Sequence, residues 1–187
     1  MTQFPNKKYN IIYADPPWKY NSRSSPNQIK KYSTIKADDY YDLMNMDDIF
    51  NLPIKDIAGE NCYLFLWVTF PLLEKSIQTF KEWGFKYKTI GFTWIKTNKK
   101  NNKPFFGVGY YMKSNAEICL LGIKGKVKPE SNFVSSVVIA PKSTHSKKPL
   151  IVKDKIVQLC GDVPRIELFA RDVGLFNGGW DVWGNEV

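Results

Sequence analysis

The chain has 187 residues, 43% of them hydrophobic and 24% charged. That is the balance of an ordinary globular chain, long enough for one domain over residues 1–187 with a substantial core. No apolar run approaches the roughly 18 residues of a membrane span, and residues 1–10 lack the apolar segment of a secretory signal, so a cytoplasmic protein is expected.

The formal net charge is +9. A basic balance suits a polyanionic partner, nucleic acid first, although a lysine-rich soluble protein from an AT-rich genome has the same composition. Distribution favours a basic face: no acid occurs between Trp18 and Ala37, or between Trp83 and Ala116. The first segment carries Lys19, Arg23, Lys30 and Lys31, and the second carries Lys99, Lys100 and Lys103. The three cysteines, Cys62, Cys119 and Cys160, are far apart in apolar runs. Their odd number and spacing suit reduced core thiols. With His145 the single histidine, neither a zinc site nor a Ser/His/Asp triad is expected.

In chain order, residues 10–14 form a short apolar run that reads as a buried strand, stopped by two prolines. Asp15, Pro16, Pro17 and Trp18 therefore fall at the carboxyl end of a strand, where open α/β sheets place ligands. Asp15 offers a carboxylate, and the prolines stiffen the backbone and present carbonyl acceptors without N–H groups. Trp18 offers a flat face. Such a tetrad suits a planar amino group, clamped by two acceptors and stacked on an aromatic ring. The plainer reading is a proline turn with Trp18 in the core.

Residues 19–37 read as a long loop leaving this end. Residues 38–50 read as a helix with Leu43, Met46 and Phe50 on one face. A buried strand follows over 62–68. A helix opens at Pro71 with Leu73, Ile77 and Phe80 at helical spacing and stops at Gly84. Residues 85–95 read as a strand. The basic, aromatic stretch 96–113 reads either as a flexible connection or as a nucleic-acid-contacting loop, with aromatics among lysines. It holds Gly107-Val108-Gly109, which lacks the context of a phosphate loop.

Residues 115–123 form a strand and 134–139 a short apolar run. A helix runs from Pro149 to Leu159 and ends at Gly161. Lys148 thus precedes a helix N-terminus, an unfavourable place for a cation beside the dipole but suitable in a pocket for an anionic group. Its plain reading is a solvated surface lysine. Residues 165–170 form a strand in which Glu167 needs a partner or ligand, with Arg171 as one candidate. The tail at 178–186, rich in Gly and Trp, reads as packed back onto the domain. Alternating strands and helices indicate an α/β sheet with helices on both faces.

Several segments together resemble the MT-A70-like family of S-adenosylmethionine-dependent adenine-N6 methyltransferases. They are Asp15-Pro16-Pro17-Trp18, Leu66-Trp67-Val68, Trp83-Gly84-Phe85, Trp94-Ile95-Lys96, Glu117-Ile118-Cys119-Leu120, His145-Ser146-Lys147-Lys148-Pro149, Glu167-Leu168-Phe169-Ala170-Arg171, and Gly179-Trp180 with Gly184-Asn185-Glu186. The set follows the family's order and covers nearly the whole chain.

The resemblance implies a Rossmann-like methyltransferase fold with a mostly parallel sheet and permuted motif order, catalytic tetrad first. It implies Asp15, Pro16, Pro17 and Trp18 as the catalytic group. It also implies a pocket for S-adenosylmethionine built from Asp15, Lys148, Glu167, Leu168, Phe169, Arg171, Asn185 and Glu186, with no metal. Lys148 suits the methionine carboxylate, and Asn185 and Glu186 suit the ribose hydroxyls and adenine edge. The size resembles bacterial and phage members, which act on DNA. RNA adenine, cytosine N4, a non-catalytic nucleic-acid-binding subunit and a cofactor-free basic binding module are the rival expectations.

Overall fold

The computed structural model describes residues 3–19, 43–107, 111–143, 147–170 and 178–185. Its centre is a seven-stranded sheet: β1 (Tyr9–Ala14), β2 (Ala58–Val68), β3 (Lys86–Thr97), β4 (Ala116–Lys124), β5 (Val137–Pro141), β6 (Arg165–Leu168) and β7 (Asp181–Trp183). The spatial order is β5-β3-β4-β2-β1-β6-β7. The pairs β1–β2, β1–β6, β6–β7 and β3–β5 are parallel, and β4 lies antiparallel between β2 and β3. This is the mostly parallel, Rossmann-like sheet that the family resemblance implied.

Among the described residues, four α-helices accompany the sheet: α1 (Met46–Phe50), α2 (Ile54–Ile57), α3 (Leu73–Glu82) and α4 (Ile151–Cys160). They cover both faces. Ile49, Ile54, Ile57 and Phe80 pack on one face with Ile12, Leu64, Leu66 and Leu120. Val152, Ile156 and Cys160 of α4 pack on the other with Ile11, Tyr13, Phe65 and Trp67. The alternation along β1 and β2 assigns successive side chains to opposite cores.

Local expectations fail in instructive places. Residues 43–45 are not helical. Met44 instead bridges to Trp18, its N–H donating to the Pro17 carbonyl at 2.9 Å, so the described helix is only α1. On α3, Ser76 and Thr79 are buried with Phe80 while Ile77 is exposed. Their hydroxyls donate to the carbonyls of Leu72 and Lys75, one turn back, which removes the cost of burying them. The tail does pack back: it forms β7, with Trp180 and Trp183 buried. Asp181 fastens it, accepting hydrogen bonds from Lys7 (2.7 Å) and Tyr9 (2.8 Å).

Candidate active site

Strand direction gathers the polar residues at one end of the sheet. Ala14 pairs with Leu66 and with Leu168, and Leu168 pairs with Trp183. Asp15, Phe169 and Gly184 thus leave the sheet side by side, at the carboxyl ends of parallel strands where such sheets bind ligands. Because β4 is antiparallel, its first residues Ala116 and Glu117 enter at this same end, beside Ile95 and Trp94 of β3.

The prolines shape the turn after β1. The Trp18 N–H donates to the Pro16 carbonyl at 2.8 Å, a tight turn across one residue. Each carbonyl oxygen has two lone pairs, so Pro16 retains acceptor capacity beyond this bond. The backbone holds Asp15 half-buried at the mouth.

Trp18 does not stand as an open plate. It is 5% exposed, and its indole N–H donates to the Trp67 carbonyl at 3.0 Å. The ring belongs to the core beside Ala14, Met44 and Leu66. An indole buried with its N–H satisfied serves as a core residue of this end of the sheet.

Four charges of alternating sign meet at these strand ends. The Lys148 ammonium lies 2.6 Å from Asp15 Oδ2 and 3.4 Å from Glu117 Oε2, and Lys96 Nζ lies 2.5 Å from Glu117 Oε1. Aromatic faces wall them in: Lys148 lies 5.3 Å from the Trp67 ring centroid and Lys96 5.3 Å from that of Trp94. Burial alone would raise the Glu117 pKa, but Lys148 and Lys96 together hold it below the usual carboxylate value. Burial likewise opposes the charge on Lys148, yet Asp15 and Glu117 raise its pKa above the usual lysine value. Both groups are therefore ionised at neutral pH. Lys148 is not the solvated surface lysine of the plain reading.

Glu167 lies beside Tyr13 in the sheet. Lys153 on α4 forms an ion pair with it; Arg171, the sequence candidate, lies outside the described residues. Lys153 also faces the Trp180 ring at 5.6 Å. Leu168 is fully buried. Phe169 just after it has φ of +61°, a left-handed conformation rare for a bulky residue and frequent near binding sites. Asn185 is exposed beyond Gly184, whose backbone lies against Ala170. Arg23, Lys30, Lys31, His145 and Glu186 lie outside the described residues.

Sequence reasoning missed Lys96, Glu117 and Lys153 as site residues. Glu117, like Glu167, is a carboxylate inside an apolar strand and needs a partner for the same reason. Burial raises the thiol pKa values of Cys62 and Cys160 to about 12 and raises that of Cys119 well above its ordinary value. None of the three offers a thiolate nucleophile. Among the described residues, no group of His, Cys, Asp and Glu is placed to hold a metal, and no helix is long and apolar enough to cross a membrane.

The β3–β4 connection rises from the same end. A bridge between Thr97 and Pro104 and the bond from Asn98 N–H to the Lys103 carbonyl (2.9 Å) fold it into a tight arm. Lys99, Lys100 and Lys103 are exposed on it, as is Lys19 beyond Trp18. Lys142 lies 4.9 Å from the Phe105 ring centroid at its base.

The family profile of MT-A70 matches residues 9–186. The chain belongs to the MT-A70 family. The Type II methyltransferase M.MunI of a Mycoplasma species is 32% identical over 99% of this chain and 80% of its own length. Human METTL3, an N(6)-adenosine-methyltransferase catalytic subunit, is 27% identical over 96% of this chain but only 28% of its own length. METTL14 of Drosophila melanogaster, a non-catalytic subunit, is also 27% identical over 96% of this chain, and 47% of its own. This MT-A70 chain thus spans four-fifths of M.MunI and less than half of these two eukaryotic relatives.

Proposed function

We propose that this MT-A70 protein is an enzyme that transfers a methyl group from S-adenosylmethionine to the exocyclic N6 of adenine in DNA, working as one methyltransferase domain. The observation that carries this reading is Asp15 at the carboxyl end of β1, on a proline-stiffened turn and ion-paired to Lys148.

The donor set suits the cofactor. Lys148 offers an ammonium for its methionine carboxylate, and Asp15 an acceptor for its amino group. Glu167, Phe169 and Asn185 surround the adjoining strand ends, and Arg171 and Glu186 follow in the same segments. When bound, S-adenosylmethionine supplies an electrophilic sulfonium methyl. The N6 lone pair of adenine is delocalised into the ring, so the amine is a poor nucleophile. Asp15 and the Pro16 carbonyl accept its two hydrogens, which favours a tetrahedral nitrogen and aims the lone pair at the methyl. Transfer of that methyl would exchange one C–S bond for one C–N bond, and the nitrogen held by Asp15 and Pro16 would release one proton to solvent. Positioning and electrostatics supply the acceleration. A base in a duplex must first be flipped out of the stack.

The choice of DNA rests on the likeness to a Type II methyltransferase and on charge. The chain matches most of a Type II methyltransferase but less than half of the two subunits cited above. Exposed Lys19, Lys99, Lys100 and Lys103 follow strands β1 and β3, where they suit a phosphate backbone. A second reading, a non-catalytic subunit, is kept open by the likeness to METTL14. The test incubates the protein with methyl-labelled S-adenosylmethionine and duplex DNA, then digests the DNA to nucleosides. Label in N6-methyldeoxyadenosine, lost in Asp15→Ala, is the expected result. Label in N4-methylcytosine, or in RNA alone, overturns the substrate. No label together with no calorimetric binding of S-adenosylmethionine favours the non-catalytic subunit.

A further inference from the structure

We infer that Glu117 and Lys96 are positioning residues that divide the charge of Lys148: Glu117 preserves Asp15 as an acceptor, and Lys96 keeps the pocket open to an anionic cofactor group. The inference rests on the methyl-transfer reading above.

The four groups alternate in sign along one line, Asp15, Lys148, Glu117 and Lys96, and their formal charges sum to zero. Their side chains are 23%, 13%, 30% and 16% exposed, so solvent screens them only partly and each charge is felt by its neighbours. The arrangement is built into the sheet. Glu117 pairs with Trp94 across β3 and β4. Lys96, two residues further along β3, projects on the same side and reaches Glu117 near the Trp94 ring.

Suppose Glu117 were neutral. More of the positive charge of Lys148 would then bear on Asp15 and would weaken that carboxylate as an acceptor for the substrate amine. The carboxylate at 3.4 Å shares the ammonium. Suppose instead Lys96 were neutral. Two carboxylates would face one ammonium, and the pocket would carry a net negative charge where the methionine carboxylate must enter. The two substitutions therefore separate: Glu117 governs the chemical step and Lys96 governs cofactor affinity. A merely structural pair would depress both together with stability.

The experiment measures cofactor affinity by calorimetry and kcat by methyl incorporation into DNA. Glu117→Gln should lower kcat roughly tenfold, with cofactor Kd unchanged or a few-fold tighter. Lys96→Met should raise cofactor Kd roughly five- to tenfold with a smaller change in kcat, and Lys96→Arg should restore it. The double variant Lys96→Met/Glu117→Gln removes one charge of each sign. It should return Kd to near the wild-type value while kcat stays low, and it serves as the test if either single variant fails to fold. Equal losses in kcat, affinity and thermal midpoint for both single variants would overturn the inference, as would unchanged kcat in Glu117→Gln. Wild-type protein that neither binds S-adenosylmethionine nor methylates DNA would remove the underlying reading itself, a result distinct from any variant's behaviour.

Discussion

Asp15 and Lys148, separated by 133 residues in the chain, meet at 2.6 Å. One follows the first strand of the sheet and the other precedes the last described helix. Their contact ties the acceptor turn to the cofactor side of the pocket. It also makes the charge state of one group a property of the other.

Stability should therefore depend on pH at both extremes. The Glu117 pKa is lowered below the ordinary 4.5, so its ionised form stabilises the fold above that value and the contribution is lost as pH falls. The Lys148 pKa is raised above the ordinary 10.5, so its contribution is present below that value and is lost as pH rises. Urea midpoints should be flat between about pH 5 and 10 and fall on either side. Lys148→Met should lower the plateau and weaken the acid-side fall, since Glu117 loses its nearest cation but one. An unchanged plateau would show that the network adds nothing to stability.

Trp18 offers a clean separation of core and substrate roles. Trp18→Phe removes the N–H bond to the Trp67 carbonyl and should cost about 1 kcal/mol. Trp18→Ala should cost about 3–5 kcal/mol in denaturant titrations. A Trp18→Ala protein of native stability but greatly raised KM for DNA would support the stacking role.

Gly184 is where the tail meets the end of β6. A Cβ there would lie 2.4 Å from the Ala170 carbonyl oxygen, a backbone atom that cannot swing aside. Gly184→Ala should destabilise by about 1–3 kcal/mol. It should also weaken S-adenosylmethionine binding, because Asn185 moves with it. Calorimetry showing native affinity would place Asn185 outside the pocket.

The arm at 98–104 should act through phosphates. Replacing Lys99, Lys100 and Lys103 together by Gln should weaken DNA binding across sequences and reduce the slope of log K against log salt by about 2 to 3. Fluorescence anisotropy at several salt concentrations measures it, and an unchanged slope would exclude the arm from the interface.

Much of the site was legible residue by residue, because its chemistry is local. A carboxylate before two prolines ends a strand whatever surrounds it, and a strand followed by its turn belongs at a sheet edge. Glu167 was legible for a related reason, since a charge within an apolar run demands a partner. What that partner is was not legible. Lys153 reaches Glu167 only because α4 packs on the face of the sheet that Glu167 shares with Tyr13. A tryptophan beside a turn suits a solvent-facing plate and a core equally, and its hydrogen bond to the Trp67 carbonyl, 49 residues away, was not legible from its neighbours.

The sequence by itself determined the strand-ending Asp15 turn, the alternation of strands and helices, the basic composition and the membership in MT-A70. These depend on spacing, backbone stereochemistry and composition, all written in order along the chain. The tertiary structure alone decided that β4 runs antiparallel, which brings Glu117 and Lys96 to the same end as Asp15. It alone decided that Lys148 is shared between two acids. Ion pairing depends on distance through space, and a pair brought together by strand order leaves no mark on either residue's immediate neighbours.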